Sequence, residues 1–267
     1  MNQPLAGRTV VITRAATQAD EFVSALESYG AQVLSCPTIE IKEPDSYERL
    51  DEAIDHLYGY DWLIFTSTNA VEAFLRRLAY HNRDVSDLDE LKVCAIGTAT
   101  TDKLRTAQVH VDLTPLQSKA EGVFMALTEF VGGTDKLRNL NMLLPRAAVA
   151  RDHLPRALEE AGARVDIVTS YQTSIPSDLD RGRLSAMLAG SADCIAFTSS
   201  STVRNLAQLF DTPDLSTVLK KLAIACIGDV TATTAQEYGL DVHIQPSNFN
   251  VPELARAIAE YYRRETN

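Results

Sequence analysis

The chain has no run approaching the roughly 18 uninterrupted apolar residues that a membrane helix requires, so a spanning protein is not expected. No GxGxxG, GxxxxGK[ST] or GxSxG sequence occurs. Hydride transfer on a Rossmann cofactor, P-loop ATP hydrolysis and Ser-His-Asp esterolysis thus lose the sequences that would carry them. Cysteine is scarce: Cys36, Cys94, Cys194 and Cys226 form no CxxC pair, and each lies in or beside a strand-like apolar run. Buried reduced thiols are expected, rather than metal ligands or disulfides. The five histidines are scattered, with no HExxH or Cys/His cluster, so no metal site is expected. Basic charge is also lacking. A net charge of −11 and a pI near 4.9 argue against nucleic acid, which needs a concentrated basic face. They also mean that an anionic ligand must be attracted by local groups, not by the overall field. The opening MNQPLAGRTVVITR lacks a basic region followed by an apolar one, and the expectation is a cytoplasmic protein.

What is present is ordinary globular material, 45% hydrophobic and 23% charged, in 267 residues. That length suits two domains of about 130 residues each. The chain repeats itself. D-WLIFTSTNAV at 61–71 matches D-CIAFTSSSTV at 193–203, an offset of 198 − 66 = 132. The same offset sets TRAATQADEFVSALESYGAQV (13–33) against PRAAVARDHLPRALEEAGARV (145–165). Downstream, Gly97 faces Gly228 after a one-residue slip, and Pro115 faces Pro246. Two copies of one α/β unit follow.

Short runs rich in Val, Ile and Leu (TVVIT, WLIFT, VCAIG, MLLP, CIAFT, AIACIG) read as strands buried on both faces of a parallel sheet. ADEFVSALESYG carries Phe22, Leu26 and Tyr29 on one helical stripe, with Gly30 as the stop. RDHLPRALEEAG repeats the stripe with Leu154, Leu158 and Gly162. Strands alternating with helices predict an α/β fold of two similar doubly wound parallel sheets.

In such sheets ligands bind beyond the carboxyl ends of the strands. There the sequence places Thr66-Ser67-Thr68, Thr198-Ser199-Ser200, Gly97 with Thr100, and Gly228 with Thr231. Helix-opening turns offer free N–H groups and a positive dipole end, which suit carboxylates without lysine. Plain N-capping by Ser and Thr is the other reading. Thr13-Arg14 and Arg146 follow the first strand of each copy, where a guanidinium could fork onto a carboxylate or make a surface ion pair. Lys119, Arg151 and Arg204 read more as solvated cations.

Taken together, the strand ending in Thr13-Arg14, the block DWLIFTSTNAVEAF at 61–74 and Ile96-Gly97-x-x-Thr100 resemble the uroporphyrinogen-III synthase family. Leu144-Pro145-Arg146-Ala147, Tyr171-Gln172-Thr173, Phe197-Thr198-Ser199-Ser200 and Ile227-Gly228-x-x-Thr231-Ala232 extend the resemblance over about residues 8–260. The chain departs from it at Asn69-Ala70, where relatives often carry Pro-Arg. The resemblance implies two flavodoxin-like domains joined by a two-stranded linker, with the active site in the cleft between them. The domains would be 1–37 with 175–267, and 40–170, with linkers at about 37–42 and 171–175. The implied reaction is that of a lyase: linear hydroxymethylbilane loses water, closes and inverts its last ring to give uroporphyrinogen III. It needs no cofactor, because electron-rich pyrroles drive departure of the hydroxyl. The resemblance assigns the general acid to Tyr171; a tyrosine packed in the strand ladder is the other reading. It further implies a monomer with no nucleic-acid or membrane partner, and a transient contact with the preceding deaminase.

Two other classes fit the repeated α/β pattern. A two-lobed small-molecule binding protein suits the hydroxyl-rich turns equally well. A flavodoxin-type redox protein would place glycine among the Thr and Ser residues of its phosphate loop, and TSTNAVEA has none.

Overall fold

Gly30 and Gly162 end the first helix of each repeat in the same way. Both sit at φ +91°, where glycine alone is unstrained. Their N–H groups bond back to Glu27 O and Glu159 O at 2.9 Å. Ala31 and Ala163 return theirs to Leu26 O (3.2 Å) and Leu158 O (3.0 Å), which satisfies the last carbonyls of both helices.

The computed structural model describes residues 3–117, 119–150, 152–177, 179, 181–190 and 192–265. The first elements are β1 (Thr9–Ile12), α1 (Asp20–Ser28), β2 (Gln32–Ser35), β3 (Glu40–Lys42), α2 (Glu48–Asp55), β4 (Trp62–Phe65), α3 (Thr68–Tyr80) and β5 (Lys92–Ala95). There follow α4 (Thr98–Thr106), α5 (Ala120–Val131), β6 (Asn141–Ala147), α6 (His153–Glu160), β7 (Arg164–Ser174) and α7 (Arg181–Gly190). The last are β8 (Cys194–Phe197), α8 (Ser200–Phe210), β9 (Ala223–Cys226), α9 (Asp229–Glu237) and α10 (Val251–Glu265). They form two compact units, Met1–Glu40 with Ser174–Asn267, and Ile41–Thr173.

The first unit holds a sheet in the order β2-β1-β8-β9, and the other sheet runs β3-β7-β6-β4-β5. The pairings β1 with β2 and β8, and β8 with β9, are parallel. So are those of β4 with β5 and β6, and β6 with β7. The repeat offset, 132 residues for the first three and 131 for the last, carries β1, β2, β4 and β5 onto β6, β7, β8 and β9, so these four positions follow one order in both sheets, with β3 added at the edge of the second. Each unit combines the first half of one copy with the second half of the other.

Side chains on a strand alternate between faces, and the cores follow that alternation. Leu63 and Phe65 of β4 pack with α2, α3 and α4, while Trp62 and Ile64 pack with α5 and α6. In the first unit Val10 and Ile12 join α1 and α10, and Val11 joins α7, α8 and α9. Fully buried side chains such as Phe22, Phe65 and Phe197 each contribute about 1.5–3 kcal/mol to folding. Both faces of each sheet are thus sealed by helices, which leaves the strand ends for function.

Candidate active site

Because neighbouring strands run parallel, their carboxyl ends line up along one edge of each sheet. In the second unit that edge carries, in order, Tyr171 on β7, Arg146 on β6, Thr66-Ser67 after β4 and Gly97 after β5. In the first unit it carries Thr38 beyond β2, Thr13-Arg14 after β1, Thr198-Ser199 after β8 and Gly228 after β9.

Ser67 and Ser199 are matched N-caps. Their backbones are extended at φ −159° and −162°. Ser67 Oγ accepts the Ala70 N–H at 3.2 Å, and Ser199 Oγ accepts the Thr202 N–H at 3.4 Å. Gly97 opens α4 at φ +87°, which favours glycine. Gly228 opens α9 with extended backbone, but a Cβ there would lie 2.9 Å from the Phe249 ring. Thr66 is exposed, while Thr68 and Thr198 are half-buried at the same openings. These four helix starts present backbone donors and positive dipole ends along the two edges.

Several of the expected ligand groups are buried or bonded within the protein. Thr13 is fully buried, and its hydroxyl donates to Ala196 O at 2.9 Å, which ties β1 to β8. Ser200 Oγ donates to Val230 O (3.1 Å) and accepts from Thr234 Oγ1 (2.8 Å), which joins α8 to α9. Thr100 and Thr231 are each only 4% exposed, in the first turns of their helices. The Thr13 and Ser200 hydroxyls thus have partners within the protein, and Thr100 and Thr231 are buried. Lys119 and Arg204 are exposed, and Arg151 lies outside the described residues.

The paired arginines differ. Arg146 bonds Asp152 Oδ1 at 2.6 Å and holds that carboxyl below its ordinary range. Arg14 is half-buried, and its buried Nε has no hydrogen-bond partner among the described residues. Burial pulls its guanidinium below the usual arginine value, with the charge of Glu21 opposing. A desolvated, under-bonded guanidinium favours an anionic ligand.

Tyr171 is 7% exposed within the core of its unit, and its hydroxyl oxygen lies 3.2 Å from Ser67 Oγ. Sequence reasoning did not reach two further residues at these edges. Thr38 is buried, and its hydroxyl donates to Thr202 O at 3.1 Å while its carbonyl accepts from Asn205 at 2.8 Å. Phe249 is 52% exposed beside Gly228. Neither belongs to a hydroxyl- or glycine-rich turn that would mark it.

Open grooves of about 500 and 550 Å³ lie at the opposite, amino ends of the strands, around Trp62 and Lys92 and around Arg8 and Asp193. Arg8 there bonds Asp193 at 2.8 Å and stacks on Tyr262. These groups fasten strand beginnings, and ligands of such sheets bind at the other end.

The fold and edges define a repeated, doubly wound α/β protein whose helix openings converge on strand carboxyl ends. A family model for "Uroporphyrinogen-III synthase HemD" matches residues 20–256. A uroporphyrinogen-III synthase of Synechococcus elongatus is 35% identical over 268 residues, covering 99% of each chain. One from Chlorobaculum parvum is 31% identical, covering 95% of this chain and 98% of its own. The fold is similar to a mutant uroporphyrinogen III synthase of Thermus thermophilus, at TM-score 0.67 and 18% identity over 96% of this chain and 99% of the other. The Helicobacter pylori uroporphyrinogen-III synthetase gives TM-score 0.59 at 18% identity, over 95% and 98%. The chain belongs to the uroporphyrinogen-III synthase family, enzymes of haem biosynthesis. Against that membership a non-enzymatic two-lobed binding protein is not favoured.

Proposed function

We propose that the chain cyclises linear hydroxymethylbilane to uroporphyrinogen III as a hydro-lyase, with Tyr171 as general acid. The observation that supports this most is Tyr171 on the same sheet edge as the α3 and α4 openings, its hydroxyl bonded to a residue of that edge. The substrate's hydroxyl leaves as water once protonated, and its C–O electron pair goes with it. A phenol O–H is a hydrogen-bond donor and can supply that proton. The proton lost when the closed macrocycle regains its last aromatic pyrrole restores the balance. No cofactor enters this scheme, because the pyrrole nitrogens supply the electrons.

Holding an octacarboxylate on a chain of net charge −11 requires local donors. We assign that task to the helix openings at Thr66-Ser67-Thr68, Gly97, Thr198-Ser199 and Gly228, and to Arg14, the first of these openings acting through its backbone N–H groups because the Ser67 hydroxyl is engaged by Ala70 and Tyr171. Orientation by such anchors favours the inverted closure over the spontaneous one. The reading includes a monomer that meets the preceding deaminase only transiently. Free, buried cysteines suit the reducing cytoplasm where the reading places the enzyme.

The test supplies freshly made hydroxymethylbilane to the purified chain and separates the porphyrin isomers after oxidation. The type III isomer is expected. Type I alone, as forms without enzyme, would refute the reading.

A further inference from the structure

Ser67 Oγ has two neighbours of different kinds. The Ala70 N–H donates into it at 3.2 Å as part of the α3 cap, and Tyr171 Oη lies 3.2 Å away on β7. A serine hydroxyl has one proton to donate and two lone pairs that accept. If that proton is aimed at Tyr171 Oη, three donors run in one direction: Ala70 N–H to Ser67, Ser67 O–H to Tyr171, and the tyrosine's own O–H outward. Hydrogen bonds aligned in this way polarise one another. The run begins at the positive end of a 13-residue helix.

We propose that Ser67 is a positioning residue for Tyr171, turning the phenol proton away from the core and donating to the phenolate once that proton has gone. The proposal rests on Tyr171 being the acid. In the step itself the Tyr171 O–H bond breaks, and its proton joins the departing hydroxyl to leave as water. Ser67 keeps its own proton throughout. The phenolate recovers a proton from the macrocycle when its last pyrrole re-forms, so atoms and charge balance.

The second repeat separates capping from this added role. Ser199 caps α8 as Ser67 caps α3. The position matching Tyr171 is Ile39 (171 − 132 = 39), which has no hydroxyl. A serine at this turn is therefore compatible with capping alone. What Ser67 has in addition is a phenol within hydrogen-bond distance.

The experiment is a double-mutant cycle on the full chain, reading kcat and KM with fresh hydroxymethylbilane for Ser67→Ala, Tyr171→Phe and the double variant. Ser67→Ala is expected to lower kcat about tenfold with KM nearly unchanged, as loss of a transition-state interaction should. Ser67→Thr, which keeps the hydroxyl, should recover most of the rate. The double variant should be no slower than Tyr171→Phe, because Ser67 acts only through the phenol. If Ser67→Ala fails to fold, Ser67→Gly takes its place, since glycine is tolerated at N-caps. An equal loss from Ser67→Ala in both backgrounds, or a raised KM with unchanged kcat, would overturn the proposal while leaving the acid in place. Full activity of Tyr171→Phe would remove the acid and the proposal together.

Discussion

Arg146 donates to Asp152 Oδ1 at 2.6 Å, whereas Arg14, its counterpart one repeat earlier, keeps a buried Nε without a hydrogen-bond partner among the described residues. The acid matching Asp152 is Asp20 (152 − 132 = 20). Asp152 is the residue just before α6, but Asp20 is already the first residue of α1 and is exposed. Arg14→Ala should raise KM for the bilane, while Arg146→Ala should act mainly on stability. Loss of a charged hydrogen bond of about 1.5–3 kcal/mol corresponds to roughly a tenfold to hundredfold change in KM. Steady-state kinetics and melting curves of the two variants check this. An unchanged KM for Arg14→Ala would remove it from the anchors.

Arg77 donates to both oxygens of Asp51, at 2.5 and 2.6 Å, while stacked between Tyr47 and Tyr80. His81 Nε2 lies 3.0 Å from the same carboxylate. The Arg77 hydrogen bonds, more than any other group, hold the Asp51 carboxyl below its ordinary value. A lowered folded value means that the unfolded chain binds protons first. The pair's stabilisation is therefore complete above about pH 4 and lost as pH falls through the folded value. Asp51→Asn should cost about 1–3 kcal/mol at pH 7. Urea denaturation should show that cost shrinking from about pH 4 downward. A difference independent of pH would mean that the carboxylate's charge does not matter.

Burial pushes the Cys36 thiol up to about 11 and those of Cys94 and Cys226 up to about 12, and raises Cys194 as well. The thiolate is the reactive form. The native protein should react very slowly with a thiol reagent at pH 8, and denaturant should release four fast equivalents. A rapidly labelled thiol in the native state would contradict the burial.

Gly97 and Gly228 match in the repeat, but they resist substitution for different reasons. Gly97→Ala strains a backbone at φ +87°, at a cost of about 1–2 kcal/mol. Gly228→Ala strains nothing in the backbone and instead meets the Phe249 ring. Phe249→Ala should therefore restore the melting temperature of Gly228→Ala but leave that of Gly97→Ala unchanged. Equal response in both would show that ring contact is not the cause.

The strands buried on both faces were legible because that burial leaves continuous apolar runs, as in β1, β4, β8 and β9, where every residue is buried. The edge strands β2 and β3 are partly exposed and carry Gln32, Ser35, Glu40 and Lys42, so their signal is weaker. The offset of 132 identified equivalent strands. It could not show that Val10 pairs with Cys194 of the other copy, because either half of a repeat fits either sheet by pattern. At the site, composition marked the hydroxyl-rich turns correctly as strand ends. Whether a hydroxyl faces a ligand or a carbonyl depends on where the next strand lies. The hydroxyl of Thr13 meets Ala196, 183 residues away. No local pattern reports such a partner, nor the Ser67–Tyr171 approach across 104 residues.

Tyr171→Phe tests the acid most directly, because it keeps the ring in the core and removes only the hydroxyl. The ring is 7% exposed and packs with the α2, α3 and α4 side of its sheet, so Phe fills the same space. The lost bond to Ser67 leaves that serine still capping α3, and the change in melting temperature should be small. If the phenol protonates the leaving hydroxyl, kcat should fall about 10²-fold. The rate need not vanish, since the hydroxyl leaves readily from an electron-rich pyrrole and water can donate in its place. KM should stay near the wild-type value, because the anchors lie elsewhere on the strand ends. A large rise in KM with kcat intact would make Tyr171 a binding residue. Full activity would return it to the strand ladder and leave protonation to bound water or to the substrate's own carboxyl groups.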